Sequence, residues 1–134
     1  MNTHESYVSL ETAKMLKEAG FDWGTLTYYP IDDKVLNERA LVGSKVAFNH
    51  NRDDSAYSAP TLDVAQRWLR EVKGIFVNAT NYRQEGSINY TMWRWYYHSN
   101  DSELSDTGWS LNTYEEALEA GIKKCLTILL EEKK

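Results

Sequence analysis

Three groups of residues in this chain have types and spacings that can do chemistry. Arg94, Tyr96 and His98 alternate along Tyr90–Asn100 (Tyr-Thr-Met-Trp-Arg-Trp-Tyr-Tyr-His-Ser-Asn). In a strand, side chains at every second position share a face, so these three stand side by side with Tyr90 and Met92. Arg supplies a fixed positive charge, Tyr a stacking face with a hydroxyl, and His a donor tunable near neutral pH. That set suits a small anion, above all one carrying a flat ring. Arg67 and Arg70, with Lys73, recur at helical spacing and form a basic edge that can join the same pocket. The alternative for this edge is a solvated face whose arginines pair with Glu71.

The third group is the polar loop Asn49-His50-Asn51-Arg52-Asp53-Asp54-Ser55. His50 could carry a proton and Asp53 or Asp54 could orient it or hold Mg²⁺, the parts of a metal-dependent phosphodiesterase or nuclease. The competing reading is a solvated loop whose Asn and Asp side chains bond their own backbone. No glycine-rich phosphate loop, dinucleotide fingerprint or Gly-x-Ser-x-Gly elbow occurs. Three His and one Cys at these spacings offer no zinc pattern. Cys125 falls on the apolar stripe of a helix and reads as a small core residue, and Trp68 as the large residue of a helix's inner face. No metal or cofactor is expected.

The other face of the aromatic strand carries Thr91, Trp93, Trp95 and Tyr97. Interface cores are enriched in Trp, Tyr, Met and Arg, so Trp93, Trp95 and Tyr97 are the expected contacts for self-association or a protein partner. A strand rich on both faces is hard to hide in a small one-sheet domain, and monomers seldom expose large apolar patches. A homo-oligomer is therefore expected.

The elements that must position these groups are well punctuated. Ser9, Thr61 and Thr113 each stand as a hydroxyl N-cap before an apolar residue and an acid. Thr113 and Glu116 complete a capping box. The three caps are evenly spaced, but the segments between them do not match, so no repeat is read. The spacing predicts helices over Leu10–Ala19, Leu62–Lys73 and Tyr114–Glu131, with Gly20 and Gly74 as stops. Gly121 in the middle of the third costs about 1 kcal/mol against Ala, and a close helix–sheet or helix–helix approach would explain it. Strands are expected at Thr25–Tyr29, Ile75–Asn81 and Ile88–His98, with a weaker one at Lys45–Phe48. The connector Tyr82–Ser87 suits a hairpin turn. Pro30–Ser44, Asn49–Ala59 and Ser99–Thr107 read as irregular or polar connectors.

The expected fold class is α+β, a small antiparallel sheet with about three helices on one face, in one globular domain over 1–134. The composition agrees: 134 residues, 42% hydrophobic and 26% charged, are those of a single folded domain. Five Trp and nine Tyr are the unusual counts. A net charge of −5 argues against bulk nucleic-acid binding, which rests on many Lys and Arg meeting phosphates. No apolar run approaches 18 residues and Met1–Ser9 shows no leader pattern, so no membrane association and a cytoplasmic location are expected.

Tyr7-Val8-Ser9-Leu10-Glu11-Thr12-Ala13, the stretch from Tyr57-Ser58-Ala59-Pro60-Thr61 through Gln66-Arg67-Trp68-Leu69-Arg70-Glu71, and Thr113–Ile122 resemble small proteins of phages, prophages and Bacteroidetes-type genomes. That group carries no assigned activity, so the resemblance implies a phage or mobile-element setting and transfers no site residue. The expectation is a binding protein more than an enzyme. Its partner would be a second copy, a host protein or a small anionic ligand such as a nucleotide, in the last case a host signal to be sequestered.

Overall fold

The computed structural model describes residues 6–31, 41–83, 91–99, 102–110 and 113–132. Three helices, α1 (Leu10–Ala19), α2 (Leu62–Lys73) and α3 (Tyr114–Glu132), pack against two antiparallel three-stranded sheets. The first sheet joins β1 (Thr25–Pro30), β2 (Val42–Phe48) and β3 (Ala56–Ser58) in the order β2-β1-β3. The second joins β4 (Ile75–Arg83), β5 (Thr91–Ser99) and β6 (Ser102–Ser110) in the order β4-β5-β6. The chain is α+β.

The helix ends follow their cap chemistry. Ser9 and Thr61 accept from the third backbone N–H beyond them, and Gly20 and Gly74 close α1 and α2 with φ of 99° and 70°. Only glycine takes that left-handed conformation without strain, which is why both helices stop there.

β4 and β5 pair in one unbroken register from Ile75↔Ser99 to Arg83↔Thr91. Alternation then sorts the sheet. Ile75, Val77 and Ala79 are buried beside Trp95 and Tyr97, and α3 covers this inner face with Leu118, Ile122, Cys125 and Leu126. Leu129 is half-buried against the same core. The approach is tight at Gly121, where an added Cβ would lie 2.8 Å from Val77 Cγ2 and 3.0 Å from Trp95 Cβ. The mid-helix glycine is therefore a contact requirement.

Several expectations are corrected here. Within Ser99–Thr107, read as a polar connector, Ser99 ends β5 and Ser102–Thr107 belong to β6, which pairs with β5 from Trp93↔Ser110 to Ser99↔Ser102. Its apolar alternation is missing because Trp95 fills the inner face in its place: a Cβ at Gly108 would overlap the Trp95 indole. β2 starts at Val42, inside a stretch read as irregular, and β3 lies inside the connector Asn49–Ala59. Both belong to a second sheet where a single one was expected. Three residues of β3 are too few for a periodic signal, and β2 is bulged against β1 between Thr25 and Thr27. The turn expected at Tyr82–Ser87 and the start of β5 at Ile88 fall mostly outside the described residues.

The helices are tied to each other and to the first sheet by polar contacts. Ser9 N–H and Thr12 Oγ1 both donate to Glu119 Oε2 at 2.7 Å, so a carboxylate of α3 sits on the positive end of α1. Lys123 pairs with Glu11 across the same two helices. Lys17 donates to the Asp53 and Ala56 carbonyls, and Tyr29 OH to the Val8 carbonyl at 2.8 Å.

A Gly121→Ala substitution tests the packing at α3. Helix propensity alone would stabilise it by about 1 kcal/mol. Overpacking against Val77 and Trp95 costs roughly 1–3 kcal/mol and wins. The urea midpoint should fall, whereas Gly43→Ala, with nothing within 4 Å of its Cβ position, should stay within about 0.5 kcal/mol of the parent.

Candidate functional site

The outer face of the second sheet carries Phe76 and Asn78 from β4 and Tyr96 and His98 from β5, paired as Phe76↔His98 and Asn78↔Tyr96. Beside β4 runs α2, and it completes a pocket of about 210 Å³ with Gln66 and Arg70. Three residues expected from the sequence, Arg70, Tyr96 and His98, thus meet in one concavity.

The walls are held by backbone bonds. β4 is an edge strand, and such edges are usually protected. Gln66 Nε2 donates to the Val77 carbonyl at 2.7 Å, and Asn78 Oδ1 accepts from the Ala79 N–H at 2.8 Å. These bonds fix both amides and assign their free ends: Gln66 keeps its oxygen and Asn78 its NH₂. Phe76 and His98 stack with centroids 4.9 Å apart and 15° between planes. Tyr96 is 38% exposed. Arg70 is exposed, and among the described residues it has no ion-pair partner. Among the described residues no carboxylate lines the pocket.

Two of the expected ligand residues lie elsewhere. Arg67 pairs with Glu71 at 3.0 Å and lies over the Trp23 ring at 5.5 Å. Three positions apart on the helix, Arg67 and Arg70 differ by about 60° in direction, and of the two only Arg70 lines the pocket on the sheet's outer face. Lys73 lies over Trp68 at 5.5 Å. Arg94 shares the outer face by register but is half-buried beyond the pocket, opposite Thr80.

The expected interface residues are also placed differently. Tyr97 is buried, and Trp93 and Trp95 are half-buried against the core. Trp93 meets Tyr114 of α3 edge-on at 5.8 Å, and Trp95 stacks on Tyr97 at 6.3 Å. α3 covers much of this face within the chain, while Tyr96 and His98 on the other face stay exposed.

Gln66, Phe76 and Asn78 were missed by sequence reasoning. Period two puts Phe76 and Asn78 on one face of their strand, and Gln66 precedes Arg70 by one helical turn. Knowing that α2 lies beside β4 would have joined them.

His50 is tied to the first sheet. Its ring is buried, donates from Nε2 to the Thr25 carbonyl at 3.0 Å, and contacts Ser44 Oγ at 3.5 Å. Tyr28 stacks on it at 4.4 Å and Phe48 packs at 3.9 Å, while its backbone N–H donates to Ser58 Oγ. Asp53 accepts from the N–H and hydroxyl of Ser55. Among the described residues no three His, Cys, Asp or Glu side chains gather to hold a metal. Asn49, His50, Asn51 and Asp53 bond to backbone groups while Asp54 is exposed, so among the described residues the geometry lends the metal-dependent hydrolase no support. Burial pushes the Cys125 thiol up to about 12, which leaves no nucleophile there.

A second pocket, of about 320 Å³, opens between Thr61–Asp63 and Tyr114–Glu115. Asp63 and Glu115 line it, and the Tyr114 phenol is pushed up by burial and by these carboxylates. Its field has the wrong sign for an anion.

The chain matches no family model, no curated protein and no solved structure. No helix among the described residues is long and apolar enough to cross a membrane.

His50 should make stability pH-dependent. Burial holds its imidazole below the ordinary value; the Thr25 carbonyl works against this and Arg52 adds to it. The unfolded chain takes up the proton more readily, so protonation favours unfolding. The stabilisation is complete above about pH 6.5 and is lost as pH falls through the lower folded-state value. The melting temperature should therefore drop between pH 7.5 and 5.5, and in His50→Gln the curve over that range should be flatter.

Proposed function

We propose that this chain is a small binding domain that holds an anionic ligand between α2 and the outer face of the β4–β5–β6 sheet. One observation carries the reading: Arg70, the Asn78 NH₂, Tyr96 and His98 meet around one pocket that, among the described residues, has no carboxylate in its lining and has spare hydrogen-bonding capacity. Guanidinium bonds to phosphate or carboxylate are charge-assisted and roughly twice as strong as neutral ones. The two amides are already fixed by backbone bonds, so less ordering entropy opposes binding.

The reading is non-enzymatic. His50 and Asp53 are committed to the backbone, and among the described residues lining the pocket no nucleophile is hydrogen-bonded to a base. Self-association through the aromatic strand has lost its main support now that Trp93, Trp95 and Tyr97 lie against α3.

Arg70 is exposed, so replacing it leaves the fold intact. Inorganic phosphate should raise the melting temperature of the parent by selective binding to the folded state. Phosphate also stabilises proteins generally by exclusion from their surfaces, so Arg70→Ala serves as the control. The rise should be clearly smaller in Arg70→Ala. Equal rises in both proteins, or none in either, would remove the anion-binding reading.

A further inference from the structure

The chemistry of the pocket narrows its ligand, on the footing of the anion-binding reading above. Three features bear on the choice. Among the described residues lining the pocket, Arg70 is the one Lys or Arg, in a chain of net charge −5. A polymer with a phosphate at every step needs a row of cations, and the described lining of the pocket offers one, so a ligand with a single phosphate group fits.

The rings set the second constraint. Phe76 and His98 stack nearly parallel, and Phe76 lines the gap toward Arg70 with Tyr96 nearby. A flat aromatic ring can extend such a stack, whereas a bare phosphate gains nothing from it.

The amides set the third. The Gln66 oxygen and the Asn78 NH₂ present one acceptor and one donor in orientations held by backbone bonds of 2.7 and 2.8 Å. A nucleobase edge offers the complement: adenine has the N6 donor beside the N1 acceptor, and guanine the N1–H donor beside the O6 acceptor. A purine has more stacking area than a pyrimidine.

We propose that the pocket takes a purine nucleoside monophosphate, with its phosphate on Arg70, its base extending the Phe76–His98 stack, and the base edge read by Gln66 and Asn78.

The test is calorimetric titration of the whole chain with AMP, GMP, adenosine and inorganic phosphate. At least one purine monophosphate should bind about ten-fold or more tightly than either adenosine or phosphate. Arg70→Ala should weaken that nucleotide about ten-fold or more and bring it to the level of the nucleoside. Phe76→Leu should weaken the nucleotide while leaving phosphate unchanged; His98→Leu, which removes the other ring of the stack at an exposed position, serves the same purpose should Phe76→Leu fail to fold. Phosphate binding as tightly as the nucleotides, and lost in Arg70→Ala, would overturn the purine assignment and leave the anion-binding reading standing. Adenosine binding as tightly as AMP would overturn the placement of phosphate on Arg70. No binding by any of the four would overturn both readings.

Discussion

The close approach of α3 to the second sheet governs the rest of the structure. Gly121 lets the helix come down on Val77 and Trp95, and Gly108 on β6 leaves room for the Trp95 indole. One tryptophan is thus enclosed by two residues that have no side chain. Interiors pack at crystal-like density, so neither glycine can gain a methyl group without displacing its neighbours. With α3 seated there, Glu119 reaches the N-terminus of α1 and Tyr114 meets Trp93. The first sheet then joins through Lys17 and Tyr29.

Seating α3 on one face of the aromatic strand decides what the other face can do. Trp93, Trp95 and Tyr97 become core and its margin, while Tyr96 and His98 remain exposed. α2 closes the open edge of β4 through Gln66, and Asn78 covers the next backbone N–H. Protecting an edge strand and shaping a rigid pocket are here served by the same two amides. The arrangement separates polar groups spent on structure from those with capacity left. His50 belongs to the first kind, since its ring joins strands of the first sheet through a carbonyl bond and two ring contacts.

Charge is distributed in keeping with this. Arg67 and Lys73 are occupied by Glu71, Trp23 and Trp68. Arg70, between them in sequence, faces the sheet's outer side. Three cations that look alike along the chain therefore differ in what they can bind, because successive positions on a helix differ by about 100° in direction.

Much of the local structure was legible in the sequence. Hydroxyl caps, left-handed glycines and helical stripes delimit all three helices, since those signals act within a few residues of chain. Alternation alone sorted the aromatic strand into its two sets, and the class α+β followed from the order of elements. Of the first sheet, β2 was legible only over Lys45–Phe48 and β3 not at all, and β6 was not legible either. β2 and β3 pair with a β1 that is distant in sequence, and a strand such as β6, whose inner face is filled by a neighbour's tryptophan, shows no apolar period of its own. The candidate site was half legible: Arg70, Tyr96 and His98 could be named from type and spacing, and Gln66, Phe76 and Asn78 could not. The sequence by itself determined which side chains share a face of each element. Only the tertiary structure decided which face α3 covers and which strand α2 borders, because that choice rests on close packing between residues far apart in the chain, at Gly121, Val77 and Trp95.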